Sequence, residues 1–189
     1  MELRHPFQSI PQGRRARVFL PLLALTLLVM AALTLIGEPL KTAEAPHGIL
    51  SFEFAGDASQ ARRMIDSWDE TTRIHAALSL GLDYLFLFAY PATIGLACVW
   101  AADLMRERKW PLVSTGILLA WGQAIAGALD AIENAALIKL LIDSIESPWP
   151  QIAYWCAAVK FALVIAGLLY LIFGAAVKIM ALGGHRSKT

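Results

Sequence analysis

Residues 111–142 read PLVSTGILLAWGQAIAGALDAIENAALIKLLI, an apolar stretch with a polar group in its second half. A helix of about 20 apolar residues crosses the hydrocarbon core of a bilayer, so this stretch predicts a membrane-spanning helix. Asp130, Glu133 and Asn134 interrupt it, and a lone ion near the bilayer centre costs at least about 3 kcal/mol. The stretch therefore predicts both a membrane fold and partners on other helices for its polar side chains.

Three further apolar runs, residues 18–36, 74–104 and 152–180, are close to or beyond the length needed to cross the membrane. Backbone groups in lipid must be hydrogen-bonded within their own segment, so all four runs are predicted to be helices. Hydrophobic residues make up 58% of the chain, more than in a typical soluble domain. The predicted fold class is all-α, an integral membrane four-helix bundle with a short structured outer loop.

The segments between the spans predict their direction. Lysine and arginine concentrate in the N-terminal tail, 1–17, in the turn 105–110 and in the C-terminal tail, 181–189, whereas the turn 143–151 is acidic. Because short cationic segments stay on the cytoplasmic side, both termini are predicted to be cytoplasmic. The long loop, 37–73, then lies outside.

The outer loop is too long to be a connection without structure of its own. Apolar and polar residues alternate over 50–54, a pattern typical of a short strand or of a segment lying at the membrane interface. Asp57 precedes Gln60 at capping-box spacing, and apolar residues follow at helical spacing. We therefore expect an amphipathic helix over 58–68, which either packs on the end of the bundle or covers an opening between the helices as a lid.

Polar residues in spans two, three and four fall at one depth. Counting inward from the outer ends at 1.5 Å per residue places Asp83, Asp130 and Lys160 about 12–18 Å deep. Neighbouring spans should therefore bring these groups together into one ligand-binding site or polar cluster. Its predicted members are Asp83, Tyr84, Tyr90, Gln123, Asp130, Glu133, Asn134 and Lys160.

Two interpretations of this cluster stay open. Lys160 could neutralise one carboxylate while amides and Tyr90 satisfy the rest, so that the network would only fix helix packing. Three carboxylates outnumber one deep lysine, however, so one of them should be protonated or should bind a cation or a basic ligand. Carboxylates with an amide suit a hard cation such as Mg²⁺ or Ca²⁺. Zinc and haem are disfavoured, since His75 is the only histidine in a span.

Four segments carry a resemblance to a known group of proteins: residues 48–56 (GILSFEFAG), 67–68 (SW), 79–86 (SLGLDYLF) and 129–135 (LDAIENA). They resemble bacterial four-span integral membrane proteins to which no activity is assigned. The resemblance implies a multi-pass protein of the bacterial inner membrane. It also implies that Glu53 belongs with the intramembrane acids. We assign a second outer-loop residue, Trp68, to the site as well.

The sequence thus predicts an inner-membrane protein that binds a lipid-like or small amphipathic ligand at an acidic site in the outer half of the bundle. The alternatives are a membrane enzyme doing acid–base chemistry on a lipid or isoprenoid, a cation- or proton-coupled transporter, and an accessory subunit whose polar cluster only locks helix packing. No motif identifies a catalytic residue, a metal or a cofactor. The expected partner is membrane lipid, a homo-oligomer stays open, and a net charge of +1 argues against nucleic acid.

Overall fold

The computed structural model describes residues 4–107, 109–142 and 148–186, and for residues 177–186 the backbone alone. The helices are α1 (Gln12–Gly37), α2 (Ile49–Glu53), α3 (Ala58–Asp66), α4 (Glu70–Glu107), α5 (Val113–Ile142) and α6 (Trp149–Arg186), with a 3-10 turn at Glu38–Leu40. No strand occurs in these described ranges. The acidic residues predicted for the turn after α5, residues 143–147, lie outside them.

Among the described residues, three helices, α1, α4 and α6, are long and apolar enough to cross a membrane, which indicates a membrane protein. The run at 111–142 forms α5, which is not among these three and carries polar residues in its second half. Those polar side chains, Gln123, Asp130, Glu133 and Asn134, are all buried, while Leu118, Trp121, Ile125 and Ile132 are exposed. The polar face of α5 is therefore turned toward its neighbours and its apolar face outward.

The long helices pack unequally. α4, α5 and α6 contact one another, whereas α1 packs mainly along α4. Polar contacts tie α1 to α4, among them an ion pair between Arg15 and Asp103, a hydrogen bond of 2.9 Å between the hydroxyls of Thr26 and Thr93, and a contact of 3.1 Å between His75 Nδ1 and the Ile36 carbonyl. This arrangement leaves a cleft between α1 and α6, with α4 as its floor.

Small residues allow α4 and α5 to approach closely. A Cβ atom placed on Gly127 of α5 would lie 2.9 Å from the Leu87 carbonyl oxygen and 3.1 Å from Pro91 Cγ, both on α4. The first distance is shorter than a carbon–oxygen contact allows, so only glycine fits without a shift of the backbone. This close contact brings the polar face of α5 up against α4.

Residues 38–69 cover one end of the helices, which we call the loop end. In their core, Trp68 packs edge-to-face on Phe52 with ring centroids 5.3 Å apart, and its indole N–H donates to the Leu40 carbonyl at 3.0 Å. The helix predicted over 58–68 is present as α3 and ends at Asp66. The Asp57 carboxylate accepts from the Gln60 amide at 2.9 Å and so caps its first turn.

The prediction of a short strand over 50–54 is wrong, because this segment forms the helix α2. Gly48 has a φ of +61°, which turns the chain into α2, and glycine adopts such a φ without steric cost. Phe52 and Glu53 are adjacent and both buried, whereas Leu50 is exposed. Five residues are too few for the helical period to appear in the sequence pattern.

Candidate functional site

The ammonium of Lys160, on α6, lies among carboxyl groups from two other elements. Its Nζ lies 2.9 Å from Asp130 Oδ1, 2.9 and 2.8 Å from the two carboxyl oxygens of Glu133, and 3.7 Å from Glu53 Oε2. It also lies 4.9 Å from the centroid of the Phe161 ring. All four charged residues are buried. The lysine thus holds α5 and the loop helix α2 against α6.

The helical period explains why α5 supplies most of the cluster. Asp130, Glu133 and Asn134 are spaced i, i+3 and i+4, so they share one face of the helix. Asp130 and Glu133 reach Lys160, whereas Asn134 donates from Nδ2 to Asp83 Oδ2 on α4 at 2.6 Å. Side chains from three long helices therefore meet at one level. Asp83 and Lys160 lie about 20 and 16 Å along their helices from the loop end.

Glu53 enters the cluster from the loop rather than from a long helix. The next residue, Phe54, stacks on Phe161 with centroids 5.8 Å apart and packs edge-to-face on Tyr154 at 5.6 Å. These two rings hold the end of α2 on α6. Burial raises the pKa of the Glu53 carboxyl above its ordinary value, and the nearby Lys160 ammonium opposes that rise. A carboxyl in this position is stable either as a neutral acid or as part of the ion-pair network.

A cavity of about 710 Å³ occupies the cleft between α1 and α6, within the range of sites that bind small molecules. Most of its wall is apolar, and its charged and amide groups lie toward the loop end, where Glu53, Asp83, Tyr90, Asp130, Asn134 and Lys160 line it. Toward the other end it is apolar, lined by Phe19, Leu23, Ile94, Leu168 and Leu171. From Lys160 to Leu171 the apolar part extends about 16 Å along α6.

Two residues on the cleft wall, Asp83 and Tyr90, differ from the rest of the cluster in their ion-pair and hydrogen-bond partners. Asp83 has no ammonium or guanidinium group within 4 Å in the part of the chain that the structure describes, and its hydrogen-bond partner there is the neutral amide of Asn134. The hydroxyl of Tyr90 is buried and makes no hydrogen bond within the described residues. Asp130 is near that hydroxyl but lacks the geometry of a hydrogen bond. Within the described residues Asp83 thus lacks a cationic partner and the Tyr90 hydroxyl lacks a hydrogen-bond partner.

Three residues predicted for the site lie elsewhere. Tyr84 is exposed, because its position on α4 turns it away from α5 and α6. Gln123 is buried nearer the other end of the helices, where its amide donates to the Leu163 carbonyl at 2.9 Å. Trp68 is part of the core of the loop and does not line the cavity. Among the predicted residues, Asp83, Tyr90, Asp130, Asn134, Lys160 and Glu53 line the cavity, with Glu133 paired behind them.

The sequence interpretation missed the wall that α1 supplies. Phe19, Leu23 and Met30 line the cavity, yet they belong to an apolar run in which no residue marks the inner face. Thr26 could have indicated which face of α1 points inward, since this polar residue lines the cleft and its hydroxyl bonds to Thr93 of α4. At the loop end the ion pair between Lys41 and Glu38, at 2.7 Å, forms part of the roof.

The charges of the site do not balance. Glu53, Asp83, Asp130 and Glu133 supply four carboxyl groups, and Lys160 is the one ammonium among them in the described chain. The position between Asp130 and Glu133, where a hard cation would bind, is taken by Lys160 Nζ. No group of three or more histidine, cysteine, aspartate or glutamate side chains in the described ranges is arranged to hold a metal ion.

No protein-family model, curated protein or solved structure matches this chain.

Proposed function

We propose that this chain is a bacterial inner-membrane protein that binds a lipid-like or small amphipathic ligand in the cleft between α1 and α6. In this proposal α1, α4, α5 and α6 all span the membrane as a four-helix bundle, with both termini cytoplasmic and the loop end outside. The ligand's polar group lies among the acids in the outer half, and its chain lies along the apolar wall.

The observation that carries the proposal is the cavity itself, polar at one end and apolar for about 16 Å beyond it. An amphiphile has the same division, and each buried methylene contributes about 0.8 kcal/mol to its binding. The gap between α1 and α6 supports entry from the bilayer, since α1 packs mainly on α4.

A purely structural role for the polar cluster explains less. Helix packing accounts for the contacts of Lys160 with Asp130 and Glu133. It does not account for a cavity of about 710 Å³ beside them, or for Asp83 and Tyr90 on its wall. A cluster that only locked helices would give Asp83 a cationic partner and the Tyr90 hydroxyl a hydrogen-bond partner, because unsatisfied buried polar groups are costly.

Filling the apolar end tests the proposal. Ala97 of α4 lines the cavity, so Ala97→Phe should occupy the space of the alkyl chain. Ala128 of α5 is exposed and does not line the cavity, so Ala128→Phe is the matched control. We expect native mass spectrometry of the purified protein to find a co-purified amphiphile with the wild type and Ala128→Phe, and much less with Ala97→Phe. Equal amounts of bound amphiphile on all three proteins, or none on any, would contradict the proposal.

A further inference from the structure

We infer that the ligand is a cationic amphiphile, an alkyl chain with a protonated amine at its head, and that Asp83 pairs with this ammonium. The inference rests on the proposed function and adds the chemical class of the ligand. It follows from three features of the end of the cleft that holds the acids: their unequal pairing, the aromatic residues on the face of Asp83, and, among the described residues there, the lack of an unengaged cation for an anionic head.

The acids of the cleft are not equally paired. Lys160 lies within 2.9 Å of both Asp130 and Glu133, and Glu53 has the raised pKa of a buried carboxyl. Even with Glu53 set aside, three carboxyl groups share one ammonium. Asp83 is the member with no cation within 4 Å in the described chain, although it lies on the cavity wall. A ligand ammonium is the group that would complete this pairing.

The surroundings of Asp83 also suit an ammonium. Asp83, Phe86 and Tyr90 are spaced i, i+3 and i+7 on α4, and all three line the cavity. The rings of Phe86 and Tyr90 are 5.0 Å apart, and aromatic faces attract cations. The Tyr90 residue is 6% exposed and its hydroxyl has no hydrogen-bond partner in the described chain.

An anionic head group would be less favourable beside Asp83 than an ammonium. Lys160 is the cation on the cavity wall at this level, and its ammonium is already engaged by Asp130 and Glu133. Lys41, at the roof, pairs with Glu38. Among the described residues, a carboxylate or phosphate would therefore approach Asp83 and Asp130 without an unengaged cationic partner at their level, and like charges in a desolvated site repel. A neutral hydroxyl head would leave Asp83 without a cationic partner.

Chain-matched probes test this assignment. Titration calorimetry would compare tetradecylamine, tetradecanol and tetradecanoate on the protein in phosphatidylcholine nanodiscs, with empty nanodiscs as the partition baseline. We expect the amine to bind the wild type at least about tenfold more tightly than the alcohol, since a charge-assisted hydrogen bond is roughly twice as strong as one between neutral groups. Asp83→Asn should remove that preference. Asp66→Asn changes an exposed carboxylate of the loop and should leave it intact.

Phe86→Leu keeps the acid but removes a ring, so it should reduce the preference for the amine by about threefold. This second variant keeps the test valid if Asp83→Asn fails to fold. A further arm replaces part of the phosphatidylcholine with phosphatidylethanolamine: competition with tetradecylamine would identify a membrane aminolipid as a source of the ammonium, and its absence would favour a free amine.

Failure of the inference and failure of the proposed function look different. If the alcohol or tetradecanoate binds the wild type as tightly as the amine, or if Asp83→Asn keeps the preference, the assignment of an ammonium is wrong while binding in the cleft stands. If none of the three probes binds above empty nanodiscs, or Ala97→Phe leaves all three affinities unchanged, the proposed function itself is wrong.

Discussion

Replacing Lys160 with methionine should destabilise the protein more than any other single change at the polar cluster. Methionine keeps an unbranched side chain of similar length, so the main loss is the ammonium. Asp130 and Glu133 then lose a partner at 2.8–2.9 Å and Glu53 loses one at 3.7 Å, and all three residues are buried. Removing one member of a buried ion pair costs about 3–5 kcal/mol. We expect a loss of that size, a large share of the 5–15 kcal/mol that stabilises a typical protein.

The assay is unfolding of the purified protein in mixed micelles as the fraction of denaturing detergent is raised, followed by circular dichroism. Lys41→Met is the matched control, because Lys41 pairs with Glu38 at 2.7 Å but is half exposed, and such pairs contribute about 0–1 kcal/mol. The double variant Lys160→Met/Glu133→Gln should recover part of the loss, since one unpaired acid is removed. A Lys160→Met variant no less stable than Lys41→Met would refute the view that the ammonium compensates these acids.

Three further predictions concern packing and the loop. Gly127→Ala should destabilise the protein by about 1–3 kcal/mol in the same assay, because its Cβ would lie 2.9 Å from a backbone oxygen of α4. Gly81→Ala, with open space around it, should instead stabilise it by about 0.5–1 kcal/mol, and equal effects would contradict the packing described. Hydrogen bonds from the Ser59 side chain and the α3 backbone lower the pKa of the exposed Asp57 below its ordinary 3.8. The ionised carboxylate therefore stabilises α3 fully above pH 3.8, and this stabilisation is lost as the pH falls through the lowered pKa. Hydrogen-exchange protection of the α3 amides should fall accordingly in the wild type but not in Asp57→Asn; a fall of the same size in both would exclude the cap as its cause. Trp68→Phe should cost about 1 kcal/mol or more, because the buried Leu40 carbonyl loses its donor; an unchanged midpoint of unfolding would show that this bond contributes nothing.

The sequence alone predicted the helical character of the long apolar runs and the common level of the acids and Lys160. Both follow from one-dimensional rules: the apolar length that a bilayer requires and the rise of a helix per residue. The level of Asp83, Asp130 and Lys160 could be counted from the span ends for that reason. The capped helix α3 was predictable too, since its Asp57 cap and its apolar spacing are both local.

The features that were missed depend on which way each helix faces. Tyr84 and Asp83 are neighbours in the sequence, yet one is exposed and the other lines the cleft. Gln123 shares a stripe with Asp130 but bonds to the Leu163 carbonyl at another level. The cleft arises because α1 packs along α4 and not along α6. The sequence of α1 is almost uniformly apolar, so it does not show which of the other helices α1 contacts.

Photolabelling tests most directly whether an amphiphile occupies the cleft. An alkyl amphiphile with a diazirine at the end of its chain would be crosslinked in nanodiscs and the labelled residues mapped by mass spectrometry. We predict labels on residues of the apolar cleft wall such as Leu23 and Leu168, and their loss in Ala97→Phe. Labels spread with equal yield over exposed residues outside the cleft, such as Leu28 and Phe88, and unchanged in Ala97→Phe would contradict the account.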